Sequence, residues 1–230
     1  MLIVLEGVDS SGKATQTALL SKHLTQKHDI MQITFPDYES DSSALVKMYL
    51  SGAFGQDANT VSPYAASVLY AADRYASFKT KWGAFLENGG TVICDRYTTS
   101  NMVHQAAKIE KEKDKDAFLE WLYDFEYNKM GLPVPTLVFF LDMPPKYAKQ
   151  LMENRANKFT GEKEKDIHER DALHLEKAYN NAVYVAKKNG WTFISCVKDG
   201  QIRTIDDIHS EIVHITEGVM HGVSAHCTGR

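Results

Sequence analysis

One stretch, Gly7-Val8-Asp9-Ser10-Ser11-Gly12-Lys13-Ala14-Thr15, constrains this chain more than any other part of it. It follows the apolar run Leu2–Leu5 and precedes apolar residues of helical period, Leu19, Leu20 and Leu24 with His23 among them. Gly, four residues, then Gly-Lys is the Walker A spacing, which carries meaning only between a strand and a helix. Both flanks are present. The glycines let backbone N–H groups converge on phosphate oxygens, and the N-terminal end of the helix adds a dipole of the right sign. Lys13 then brings a point charge to the terminal phosphates, from a loop expected to be open to solvent. The pattern normally continues with Ser or Thr, whose hydroxyl binds Mg²⁺. Here Ala14 stands in that place, and Thr15 carries its hydroxyl one position on.

Four further apolar runs have strand length: Met31–Phe35, Thr91–Cys94, Thr136–Leu141 and Thr192–Cys196. They are continuous rather than alternating, as strands covered on both faces are. Between them lie segments of helical period. One carries Ala65, Val68, Leu69 and Ala72, another Phe118, Trp121, Leu122 and Phe125. A third, from Ile167 to Lys188, carries Leu173, Leu175, Ala178, Ala182 and Val185. These stripes are read as core packing. Strand and helix in alternation predict an α/β fold, a doubly wound parallel five-stranded sheet flanked by helices, with ligands bound outside the carboxyl ends of the strands. Asp95-Arg96-Tyr97 leaves the third run at that edge. Asp95 is then placed as an outer-shell group for Mg²⁺, and Arg96 as a cation bridging donor and acceptor phosphates. The polar segment Lys158–Lys165 reads as a mobile loop, and the charge run Lys108–Asp116 as a solvated helix end.

Composition narrows the class. A chain of 230 residues with 43% hydrophobic and 24% charged residues suits one globular domain with a full core. Its net charge of −4 argues against nucleic acid or an anionic membrane as partner. The longest apolar stretch, around Leu137–Leu141, falls far short of a membrane span, and the start lacks a basic leader. Cys94, Cys196 and Cys227 are far apart and form no C-x-x-C, so neither a disulfide framework nor a zinc site is implied and a reducing cytoplasm is the expected setting.

Taken together, the motifs resemble those of the thymidylate kinase family, within the P-loop nucleoside monophosphate kinases. The landmarks stand in family order from Leu2 to about Ile215: the Gly7–Lys13 loop, Phe35-Pro36, Tyr70-Ala71-Ala72-Asp73-Arg74, Asp95-Arg96-Tyr97 with Ser100, and Leu141-Asp142. The resemblance implies one kinase domain over residues 1–217 with a small mobile lid at 155–170, then a frayed tail over 218–230. It implies ATP and Mg²⁺, thymidine monophosphate as acceptor, small-molecule nucleotides as ligands, and a homodimer. The ATP site would comprise Gly7 to Thr15 with Arg155 from the lid. Asp9 resembles the carboxylate that touches the acceptor 3′-hydroxyl, and Arg96 an acceptor-phosphate anchor. Arg74 resembles the arginine that bonds the thymine base, and Tyr70 the ring that stacks on it. Tyr97 resembles the tyrosine that crowds the sugar 2′ position. Phe35, Ser100, Asn101 and Gln105 fall among the family's acceptor contacts. The catalytic set is thereby Asp9, Lys13, Arg96 and Arg155.

Two positions depart from the family's pattern. One is Ala14; the other is Tyr38, where many members carry an arginine that grips the acceptor phosphate. With Ser10 and Ser11 the loop also lacks an arginine, as in members whose lid supplies the catalytic cation. Three rivals stand beside this reading: a related kinase for another nucleoside or nucleotide, a guanine-nucleotide switch, and a catalytically silent relative, which Ala14 and Tyr38 leave open. Against the second, Asn128-Lys129-Met130-Gly131 lacks the aspartate of the guanine signature.

Overall fold

The computed structural model describes residues 1–55, 57, 60–156 and 172–222, with backbone alone at 153–156 and 172–174. Five strands form one sheet: β1 (Leu2–Glu6), β2 (Ile30–Thr34), β3 (Thr91–Asp95), β4 (Leu137–Asp142) and β5 (Thr192–Ser195). Each bound lies within one residue of that expected. All pairings are parallel, in the order β2-β3-β1-β4-β5. A short antiparallel pair follows, β6 (Val197–Lys198) with β7 (Gln201–Ile202). The helices are α1 (Lys13–Leu24), α2 (Ala44–Leu50), α3 (Pro63–Ser77), α4 (Gly83–Glu87), α5 (Thr98–His104), α6 (Glu112–Tyr123), α7 (Pro145–Ala156), α8 (Ala172–Lys188) and α9 (Ile205–Met220). Two π-helical turns, Phe78–Trp82 and Asp124–Lys129, continue α3 and α6.

Strand side chains alternate between faces. Leu2, Val4, Val92 and Cys94 meet Phe78, Trp82, Phe118 and Leu122 on one face. Ile3, Leu5, Ile93, Phe139 and Leu141 meet Leu20 and Leu24 of α1 and Ile208 and Ile212 of α9 on the other. Both faces being covered is why the strands read as unbroken apolar runs. Among the described residues no helix is long and apolar enough to cross a membrane.

Several expectations are corrected. The stripe of α3 is mostly not core: Val68 is 42% exposed, Ala65 and Ala72 are exposed with it, and Leu69 alone packs, half-buried, on a small cluster with Tyr49 and Ala66. The buried face of α3 instead carries Ala66, Ser67, Ala71, Asp73, Arg74 and Ser77. The charge run from Lys108 is not wholly solvated, since the Lys108 ammonium donates to the Tyr49 hydroxyl at 2.8 Å and burial pushes it down to about 8. Helix α9 continues to Met220, which packs on the second face, so 218–220 is not a frayed tail. Residues 223–230, and the lid segment from 157 onward, lie outside the described residues.

Candidate active site

The glycine-rich loop leaves β1 and turns into α1 along a path that demands its glycines. A Cβ on Gly7 would stand 2.7 Å from Ser11 Oγ and 3.0 Å from the Leu141 carbonyl oxygen. Gly12, with φ 92°, sits in the left-handed region immediately before the helix, where a side chain is disfavoured. No side chain caps α1 and its first turn holds no acid, so its leading N–H groups and dipole remain for an anion.

Lys13 is not open to solvent as expected; it is 6% exposed. Its Nζ donates to the carbonyls of Gly7 and Val8, both at 2.8 Å. Burial pushes its ammonium down to about 8, and nearby Arg96 adds to the fall against the pull of Asp9, Glu6 and Asp95. Ala14 is exposed and Thr15 half-buried, so neither completes the loop's interior.

Glu6, the last residue of β1, is a functional side chain that the sequence reading passed over. It is fully buried. One oxygen accepts from the Gly7 N–H at 2.9 Å, and the other from the hydroxyls of Thr99 and Ser100, each at 2.7 Å. It thereby ties the phosphate loop to the start of α5. The only forewarning was an acid at the end of an apolar strand.

Arg96 holds a left-handed backbone, φ 69°, unusual for a residue with a side chain. Its guanidinium pairs with Asp9, lies 3.8 Å from Glu6, donates to Ser100 Oγ at 3.4 Å and meets His104 Nε2 at 2.9 Å. Burial works against its charge, but Asp9, Glu6 and Asp95 outweigh that and raise its pKa further. Asp95, 7% exposed, has an Oδ1 with no hydrogen-bond partner. Burial raises the pKa of Asp95, against the pull of Lys13 and Arg96.

Beside Arg96 opens a cleft of about 230 Å³. It brings together Asp9, Phe35, Tyr70, Arg74, Arg96, Tyr97, Ser100, Asn101 and Gln105, which is every residue expected at the acceptor. Tyr38 and His104 line it as well. Asp73 of α3 fixes one wall, accepting from the Asp37 N–H at 2.8 Å and the Ser42 hydroxyl at 2.6 Å. Two side chains differ in detail from expectation. The Tyr97 ring is buried and its hydroxyl donates to the Pro133 carbonyl at 3.1 Å, so only the ring serves the cleft. Arg74 is 1% exposed, and its Nε and Nη2 are already engaged by Glu126, at 2.7 and 2.5 Å. Gln105 Oε1 is buried without a partner. Arg155 stands in the last turn of α7, with its side chain outside the described residues.

Comparison with known proteins agrees with this geometry. The family model described as Thymidylate kinase matches residues 5–200. A "Thymidylate kinase" of Mycobacterium tuberculosis (strain CDC 1551 / Oshkosh) is 32% identical over 83% of this chain and 87% of its own length. A "Thymidylate kinase" of Plasmodium falciparum (isolate 3D7) is 29% identical over 92% of this chain and 87% of its own. A "Probable thymidylate kinase" of Thermococcus onnurineus (strain NA1) is 28% identical over 94% and 97%. With a phosphate loop at β1, an arginine at the end of β3 and a polar cleft between them, the chain belongs to the thymidylate kinase family of phosphotransferases.

Proposed function

We propose that this chain moves the γ-phosphate of ATP onto thymidine monophosphate. The observation that carries the proposal is the cleft itself. Its lining includes Asp9 of the phosphate loop paired with Arg96, together with Arg74, Asn101 and Tyr70. Arg96 would hold the acceptor phosphate, Lys13 the transferring one, and Asp9 the acceptor 3′-hydroxyl. Phosphoryl transfer asks for alignment and charge neutralisation rather than a protein nucleophile. Mg²⁺ fits the site: the unpartnered Asp95 Oδ1 and the buried, unpartnered Ser11 Oγ are acceptors suited to its water shell. When bound, that ion neutralises phosphate charge. A turnover assay in excess chelator reads the requirement, and undiminished rate there would remove Mg²⁺ from the scheme.

Arg74 is a donor only, so it suits a base with an exocyclic oxygen at the facing position. Thymine and uracil have one; cytosine has an amino group and would leave Arg74 unanswered. That mismatch costs about 1–3 kcal/mol, against about 1 for a missing methyl. The expected order of kcat/KM is thymidine monophosphate, deoxyuridine monophosphate, then deoxycytidine monophosphate well behind. A coupled assay of ADP release decides it, and equal use of thymine and cytosine nucleotides would refute the assignment.

We further propose a homodimer through the outward face of α3 and its neighbour α2. Tyr64, Val68 and Tyr75 are each 38–42% exposed on α3, with Leu45 and Met48 exposed on α2. Apolar side chains gathered in this way on a surface mark an interaction site. Val68→Asp is expected to convert a dimer to a monomer in sedimentation velocity, and an unmutated protein that sediments as a monomer would contradict the proposal.

A further inference from the structure

Glu126 has no forewarning in the sequence and no contact with the phosphate loop. It lies in the π-helical turn Asp124–Lys129, fully buried, behind the cleft residues Arg74 and Asn101 that it holds. Its two oxygens take four donors. Oε2 accepts from Arg74 Nε at 2.7 Å and the Thr98 hydroxyl at 2.8 Å. Oε1 accepts from Arg74 Nη2 at 2.5 Å and Asn101 Nδ2 at 3.2 Å. A carboxylate has about four such lone-pair positions, so this one is filled.

The consequence falls on Asn101, an amide that in isolation could face the cleft either way round. Its Nδ2 lies between two groups that only accept, the Glu126 carboxylate and the Ser67 carbonyl, the latter at 3.3 Å. Both amide hydrogens are therefore used, and Oδ1 is what remains to the cleft. For Arg74, Nε and one Nη2 hydrogen are taken in the same way, leaving Nη1 as donor on the residue that lines the cleft. The cleft thus presents a fixed donor beside a fixed acceptor.

We propose that Glu126 is a positioning residue that sets this donor–acceptor polarity and so decides which pyrimidine the site accepts. Thymine offers the complement, an exocyclic O4 acceptor beside an N3–H donor. Cytosine offers the reverse, an N4 amino donor beside an N3 acceptor. The inference rests on the thymidine monophosphate reading and adds the residue that enforces it. A glutamine at 126 breaks the arrangement in either orientation. With its NH₂ in the place of Oε1, it opposes both Arg74 Nη2–H and Asn101 Nδ2–H, so the fork loses one of its bonds and the Asn101 amide is driven to turn round and offer Nδ2 to the cleft. With its NH₂ toward Thr98, it opposes Arg74 Nε–H and the fork is lost.

Acceptor choice, rather than activity alone, tests this. The ratio of kcat/KM for thymidine monophosphate to that for deoxycytidine monophosphate is expected to shrink roughly tenfold or more in Glu126→Gln, a factor that about 1.4 kcal/mol represents. The KM for ATP should stay unchanged. Glu126→Asp, which keeps the charge one methylene back, should restore part of the ratio. Thr98→Val removes one donor to the same carboxylate at a site away from the base, and should shrink the ratio by roughly threefold; it decides the matter if neither change at 126 folds. An unchanged ratio in every folded variant, or equal loss for both acceptors, overturns the inference. Failure of the underlying reading shows elsewhere, as an unmutated protein with no preference for thymidine monophosphate.

Discussion

Lys13→Ala is expected to lower turnover by roughly a thousandfold or more, the cost of losing several kcal/mol of charge stabilisation at a transferring phosphate. The fold should survive. The drop of the Lys13 pKa from 10.5 to about 8 means that burying the ammonium costs on the order of 3 kcal/mol at neutral pH. Against that stand its hydrogen bonds to the Gly7 and Val8 carbonyls, about 1.5–3 kcal/mol each for a charged donor. Together the bonds equal or exceed that cost, so the thermal midpoint of the alanine variant at pH 7 should stay level or fall modestly. The sign with pH is definite. Between about 8 and 10.5 the unfolded chain keeps the Lys13 proton and the folded one does not, so the parent's stability rises with pH relative to the alanine variant. Activity runs the other way. The free protein loses the ammonium above about pH 8, so kcat/KM for ATP should fall there, while kcat at saturating ATP persists higher because bound polyphosphate favours the charged form. Near-normal turnover in the variant, in a steady-state assay, would remove the phosphate loop from the mechanism.

Arg96→Met should lower kcat/KM for the acceptor by roughly a hundredfold to a thousandfold, since it deletes the cation aimed at the developing charge. The damage extends beyond substrate. Arg96 balances Asp9, Glu6 and Asp95, and Glu6 and Asp95 are buried. Without it those carboxyls repel one another and titrate upward, so the variant should lose more stability than the parent as pH rises through the carboxylate range, where the parent already carries a raised Asp95. Arg96→Lys keeps the charge but cannot meet Asp9, Ser100 and His104 together, and is expected to recover only part of the rate. Kinetics at varied acceptor, with melts at pH 5 and 8, separate the two effects. An acceptor kcat/KM that does not change would move phosphate anchoring to another residue.

The stripes of helical period were only partly legible. Leu20 and Leu24 of α1, Phe118 and Leu122 of α6, and Ala178, Ala182 and Val185 of α8 are buried as their spacing indicates. In α3 most of the same pattern points outward, with Leu69 half-buried, because Asp73 and Arg74 face inward to hold the 37–42 loop and Glu126. Apolar periodicity locates the core only where the inside of a helix is apolar.

Sequence by itself determined the phosphate loop and the parallel sheet, and its motifs, through the family they resemble, pointed to nine of the residues that line the cleft. The reason is that each of these is written locally: glycines at a strand-to-helix turn, apolar runs for buried strands, short motifs leaving their carboxyl ends. The tertiary structure alone decided how those members are held. Glu6 meets Ser100 across 94 positions of chain, Arg96 meets Asp9 across 87, and Arg74 meets Glu126 across 52. No local pattern records such pairs, since a buried carboxylate's partner is chosen by proximity in space and by the cost of leaving a charge unanswered. The direction of the Asn101 amide and the inward turn of Arg74 on α3 follow from the last of those pairs.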